Sequence, residues 1–315
     1  DVSSLMISML REVGIDAWYV LVRSGNFTEQ TPLPTIAAFN HVIVGYVLED
    51  GVMRYLDMTT DYYPHYVLPE FDADSWALLV KEGESKIFRL PDHGLDKDQS
   101  RFDIKMKGTI NPNRSLDMEV TYEGSGVLGG KLREQLNRVT TETDRRKYLK
   151  EYFGEGAFDH LILNDFSFEN LDDITIPLKG SLNMKAFNHV ERVSDFYIVQ
   201  LPIMKGITTR PALFAEERYN NLDLSMLFEL APSFQEIDLM VPNDFQLMEM
   251  PKDVVLDNEF GSYQLKFERI SGGLRIKRSM AFKRRLIPYK NYDAFKGFYL
   301  SVLDYDRMKL AIRKR

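Results

Sequence analysis

The chain has 315 residues, of which 44% are hydrophobic and 28% charged, with a net charge of −7 and no cysteine. That length suffices for two domains, each with its own core, and the composition excludes wholesale disorder. No run approaches the roughly eighteen apolar residues of a membrane-spanning helix. Without cysteine there can be no disulfide, no thiolate metal site and no thiol nucleophile within this sequence.

The charge is unevenly spread. Residues 261–315 hold 15 Lys or Arg against 4 Asp or Glu, leaving the preceding part strongly acidic. Basic and apolar residues alternate there, as in Leu274-Arg275-Ile276-Lys277-Arg278, which is the pattern of a half-solvated strand rather than of a nucleic-acid surface. The chain opens without an initiator methionine or a signal core, inside an apolar helix, and so reads as part of something longer.

In chain order, residues 1–13 place Leu5, Met6, Met9, Leu10 and Val13 at helical spacing, and Gly14 supplies a C-terminal cap. Residues 17–22 are apolar and aromatic without charge, a buried strand. A polar loop over 24–34 leads to strands at 39–48 and 52–58, folded around Glu49-Asp50-Gly51. Residues 59–91 predict irregular connections and one short strand, 76–80. Polar punctuation over 93–100 puts a domain boundary at 95/96.

Beyond it, alternation predicts strands near 102–106, 116–122, 160–166, 174–178, 196–201, 234–241, 263–270, 274–282 and 308–312. One helix, 131–153, interrupts them, with Leu132, Leu136, Val139, Leu149 and Phe153 on its apolar side. The expected class is α+β: a helix with an antiparallel sheet over 1–95, then a mostly β, sandwich-like module over 96–315 with one long helix.

His41 and Asp57 carry the chemistry. If the hairpin loop were two residues, paired positions would sum to 101 and the two side chains would point to opposite faces. A three-residue loop, Glu49-Asp50-Gly51, makes the sum 100 and sets them diagonally on one face, within reach of each other. Such a loop wants glycine at its last, left-handed position, where Gly51 stands. A histidine whose tautomer is set by a carboxylate serves acyl transfer by a thiol held at a helix N-terminus.

Phe39-Asn40-His41-Val42-Ile43-Val44 and Tyr55-Leu56-Asp57-Met58-Thr59 resemble the His and Asp blocks of the transglutaminase-like superfamily, with Met58 in place of the usual proline. The start, from Asp1-Val2-Ser3-Ser4-Leu5-Met6 to Gly14-Ile15, resembles the family segment Cys-x-Asp, apolar helix, Gly-Ile. Leu68-Pro69 echoes a Leu-Pro that follows the Asp strand. The resemblance covers roughly residues 1–70 and, more loosely, the β modules of bacterial envelope members. It implies a papain-like core with His41 as general base and acid and Asp57 as its orienting partner. It also implies a nucleophilic cysteine two positions before Asp1, and a periplasmic or extracellular location.

Two functions follow as expectations. The first is a cysteine protease or amide hydrolase in the intact protein, acting on peptide or protein amides and inert as the cysteine-free chain. The second is a non-catalytic envelope binding or scaffold protein with a degenerate core, its basic C-terminal strands, including Lys283, Arg284 and Arg285, forming the contact surface. No cofactor, nucleic acid or metal site is expected, since His65, His93, His160 and His189 lack ligand spacing. Asn40 is expected to bond nearby backbone or end a loop, Trp18 to be core, and Tyr62, Tyr63 and Tyr66 to line a groove or to pack. Gly124-x-Gly126-x-x-Gly129 mimics a dinucleotide fingerprint, but its strand alternates polar and apolar residues and Asp165 lies too far on, so the glycines are read as a strand-to-helix turn.

Overall fold

The computed structural model describes residues 2–25, 31–33 and 35–314. Asp1, matched above to the Cys-x-Asp motif, lies outside the described residues.

Helix α1 (Val2–Glu12) ends at Gly14, whose φ of +81° an L side chain would resist. Five strands follow: β1 (Asp16–Val22), β2 (His41–Val47), β3 (Met53–Leu56), β4 (Trp76–Val80) and β5 (Lys86–Arg89). They form one antiparallel sheet in the order β3-β2-β1-β4-β5. The period-two alternation of the strands gives the sheet two apolar faces. Ile7 of α1 packs on Ala17, Val44 and Tyr46 on one of them. Val20, Val22, Ile43, Ala77 and Leu79 occupy the other, under Leu68 and Leu90.

The β2–β3 ladder runs Val44–Leu56, Gly45–Tyr55, Tyr46–Arg54 and Val47–Met53, so paired numbers sum to 100. Gly51 has φ +73°, and its N–H donates to the Leu48 carbonyl at 3.0 Å. The loop is the three-residue one that Gly51 demands.

After a connection over 90–100 comes a second, larger sheet. Strands β6 (Arg101–Ile110) and β7 (Leu116–Ser125) lead into α2 (Gly126–Arg138) and α3 (Glu142–Gly154), then β8 (His160–Glu169) and β9 (Leu178–Phe187). With Ser233–Met240, Gly261–Ile270, Gly273–Phe282 and Val254–Asp257 they form eight strands, in which Ser233–Met240 runs parallel to β6. Val190–Val193, Phe196–Gln200, Phe245–Leu247 and Lys309–Lys314 form a four-stranded sheet. One continuous core joins the two sheets, with Leu239 and Leu274 from the first and Val199, Leu310 and Ile312 from the second. The molecule is mixed α+β and mostly sheet, consistent with a sandwich-like domain.

The single helix expected over 131–153 is two. The β-branched run Val139-Thr140-Thr141 breaks it, and the Thr141 hydroxyl caps α3 by accepting from the Asp144 N–H at 3.1 Å. The strand expected at 174–178 begins only at Leu178, because the Asp173 carboxylate holds Thr175 in a turn through both its N–H and its hydroxyl. The module also has a further helix, α4 (Tyr292–Asp306), which buries Tyr292, Phe295, Phe298, Tyr299 and Val302. Those residues have helical spacing, so the signal was present in the sequence.

The Gly124–Gly129 turn is structural. A Cβ on Gly126 would lie 2.0 Å from the Gln99 carbonyl, and one on Gly129 2.6 Å from that of Gly124. The Val127 N–H at the start of α2 is already taken by the Ser100 hydroxyl at 2.9 Å.

Candidate functional site

His41 opens β2, opposite Val22 of β1. Asp57 follows the last residue of β3 and so falls opposite Ile43, one diagonal step from His41. The imidazole Nε2 lies 3.2 Å from Asp57 Oδ1. The pair is close but off the line of a strong N–H···O bond, and Nε2 has no well-aligned partner. Asp57 is itself held rigidly, since Oδ1 accepts from the Thr59 N–H at 2.9 Å and from the Thr59 hydroxyl at 2.8 Å. The Asp57 side chain is 1% exposed, whereas His41 keeps 20% of its surface open.

A third titratable group completes the cluster. Asp72 Oδ2 lies 3.8 Å from His41 Nε2; its side chain is wholly buried, and among the described residues neither of its oxygens has a well-aligned hydrogen-bond partner, the nearby Ser24 hydroxyl being turned to the Phe71 carbonyl. Sequence reasoning missed it. It sits in the turn after Leu68-Pro69, where the Asp72 and Ala73 N–H groups both donate to the Pro69 carbonyl. Nothing local separates it from the other acids of an irregular segment.

The charges of the three are interdependent. Contact with Asp57 raises the His41 pKa, burial opposes this, and the Asp72 and Asp57 charges add to the rise. For Asp57 burial acts upward, but His41 and the Thr59 bonds together outweigh it and hold the carboxyl below its ordinary value. For Asp72 burial dominates and pushes it up to about 7; the Ser24 hydroxyl and the His41 charge act downward, and the Asp57 charge adds to the rise. One atom from each of the three falls within 4.8 Å of the others, so by spacing alone this is also the cluster that could hold a cation among the described residues.

The surroundings are built from backbone clasps. Asn40 Oδ1 accepts from the Ser24 N–H at 2.8 Å, and its Nδ2 donates to the Ser24 carbonyl at 3.0 Å. The Ser24 hydroxyl donates in turn to the Phe71 carbonyl at 3.2 Å. Asn40 thus ties the end of β1 to the turn that bears Asp72. The Phe71 ring stands edge-on to His41, centroids 6.4 Å apart. At the first turn of α1 the buried Ser3 hydroxyl donates to the Val42 carbonyl at 3.1 Å, bringing the start of the helix beside the histidine strand. Because His41 alternates with Val42 and Val44, it projects from the sheet face opposite the one α1 covers. A group preceding α1 would reach the imidazole only around the end of β2.

Other candidates resolve into structural parts. Trp18 is half-buried, with the Lys81 ammonium over its ring. Tyr63 packs on Val127 and against Gly130 of α2, and Tyr66 is largely exposed. His93 Nδ1 accepts from the Leu68 N–H at 3.0 Å, and His189 Nε2 lies 2.9 Å from the Gln200 carbonyl; burial lowers the pKa of both. Of the basic triplet, Lys283 and Arg284 lie at the surface and Arg285 does not. Lys283 pairs with Asp257 and Arg284 with Glu259, while Arg285 is buried against the turn at residues 70–73. Among the described residues no helix is long and apolar enough to cross a membrane.

Residues 194–312 match a family described as a domain of unknown function with solved structure, DUF3858. No curated protein matches the chain. A crystal structure of a "putative protease" from Parabacteroides distasonis resembles 99% of this chain at 10% identity and a TM-score of 0.48. The chain corresponds to 43% of that protein, less than half its length.

Proposed function

We propose that the chain supplies the histidine and carboxylate of a transglutaminase-like, papain-type thiol amidase, a protease in the broad sense. Its nucleophile would be a cysteine two positions before Asp1 in the parent protein. The observation that carries the reading is His41 Nε2 set 3.2 Å from a buried Asp57 whose carboxylate Thr59 holds in place. With Nε2 turned to the carboxylate, Nδ1 is the ring nitrogen left for a thiol. The start of α1 beside Val42 supports the placement of that thiol near the open end of β2.

In this reading the thiolate attacks the amide carbonyl, and the tetrahedral oxyanion collapses as the C–N bond breaks. The His41 imidazolium gives its proton to the departing amine. A water then loses a proton to His41 as it attacks the thioester, releasing the acid and the thiolate. Asp57 keeps the ring orientation and favours the imidazolium at both steps. Residence in a bacterial envelope belongs to the same proposal.

The test is amide turnover by the parent protein, with its upstream residues, on peptide and isopeptide substrates. His41→Ala and replacement of the cysteine by serine should each lower turnover at least about a hundredfold. Undiminished turnover in either variant, or a parent with no cysteine at that position, overturns the proposal.

A further inference from the structure

Arg285 comes from the far sheet system, yet it grips the turn that carries Asp72. Its side chain is 3% exposed. Nη1 donates to the Ala73 carbonyl at 2.9 Å and Nη2 to the Glu70 carbonyl at 3.1 Å, the residues on either side of Phe71-Asp72. It also contacts Asp223 at 3.3 Å and the Ser225 hydroxyl at 2.8 Å, which anchor the guanidinium in the second module, and Asp92 at 3.6 Å in the first. Lys131 of α2 adds a contact to the Glu70 carboxylate at 3.3 Å. The turn therefore has its shape set from outside its own sheet. Its one buried, unpartnered carboxyl is aimed at His41 and Asp57.

We propose that Asp72 is a third, positioning member of the His41–Asp57 site, carrying a proton when His41 is charged, and that Arg285 is the latch through which the β module holds it there. This rests on His41 and Asp57 forming the working site. The charge count gives the reason. Imidazolium beside two carboxylates in a buried pocket would leave an uncompensated negative charge, which is costly. Imidazolium, one carboxylate and one neutral acid sum to zero. Among the described residues the groups facing Asp72 are His41 from β2, Asp57 after β3 and Ser24 after β1, with Arg285 behind the turn bonding its backbone. No cation among them favours an ionised Asp72 except His41 itself. Asp72 then backs the imidazole without competing for its positive charge, and loss of the ring proton makes its own ionisation harder still. The β module is on this account a part of the site rather than an appendage.

The experiment follows the His41 ring signals by NMR against pH in the 315-residue chain, with EDTA present, so it needs no nucleophile. In the unchanged chain His41 should sense two coupled steps, its own and that of Asp72. Asp72→Asn copies the neutral acid. Its His41 signals should match the parent chain from acid pH through the first step, and the second step should vanish. Arg285→Ala should also erase the second step while His189, buried in the module, keeps its signals. If Arg285→Ala fails to fold, Arg285→Lys, which keeps the charge but cannot span both carbonyls, should weaken that step. The proposal is overturned if Asp72→Asn already alters the His41 signals at acid pH or leaves the whole titration unchanged. The latch is overturned if the folded Arg285 variant titrates like the parent chain. Loss of amide turnover in the parent protein has no bearing on these signals, so the two proposals fail separately.

Discussion

Asp306→Ala provides the sharpest test of how the module is held together. Asp306, at the end of α4, makes a bidentate pair with Arg278, Nε–Oδ1 2.7 Å and Nη2–Oδ2 2.8 Å, and the two side chains are 3% and 1% exposed. Its carboxylate also accepts from the Tyr263 hydroxyl at 2.9 Å and the Ile207 N–H at 2.8 Å. Removing it strands a guanidinium and two neutral donors away from water, and breaking a buried pair from one side costs about 3–5 kcal/mol. For a module of this size that lowers the melting temperature by on the order of 10 °C. Thermal and urea unfolding of the chain measure it. The companion Arg278→Met with Asp306→Leu removes both charges and fills the space, so it should recover the part of the loss due to the stranded guanidinium, while the Tyr263 hydroxyl and the Ile207 N–H stay unpaired. A single-variant cost under about 1 kcal/mol, or a double variant as unstable as Asp306→Ala, would refute the reasoning.

Asp72→Asn should stabilise the chain at neutral pH and not in acid. Burial raises this carboxyl from 3.8 to about 7, so the folded chain keeps a proton that the unfolded chain releases. The stability it contributes is full below about pH 4 and is lost as the pH climbs towards 7, at most about 4 kcal/mol and less where His41 compensates. His41, also raised, acts in the same sense above its unfolded value, while Asp57, lowered, loses its contribution as the pH falls through its folded pKa. Urea unfolding at pH 4 and pH 8 decides it, and an equal gain at both would show that Asp72 does not hold a proton. Gly126→Ala should cost at least about 2 kcal/mol, because φ +59° is unfavourable for alanine and its Cβ meets the Gln99 carbonyl. A melting point within a degree of the parent chain's would contradict this.

The sequence by itself determined what short-range chemistry controls. Gly51 dictated a three-residue loop, that loop set the β2–β3 register, and the register brought His41 to Asp57. Residues 76–80 and the long alternating strands of the module were legible because a half-buried strand must alternate whatever it pairs with. The break at Val139-Thr140-Thr141 was also local, a cap signal hidden inside a helical period. The tertiary structure alone decided the parallel pairing of Ser233–Met240 with β6, two segments more than a hundred residues apart. It alone placed Asp72 beside His41 and turned Arg285 from a surface charge into a buried clasp on residues 70 and 73. Neither residue differs in type or local pattern from its exposed neighbours. What distinguishes them is the desolvation and the partners that a distant chain segment brings, and those exist only once the two sheets have met.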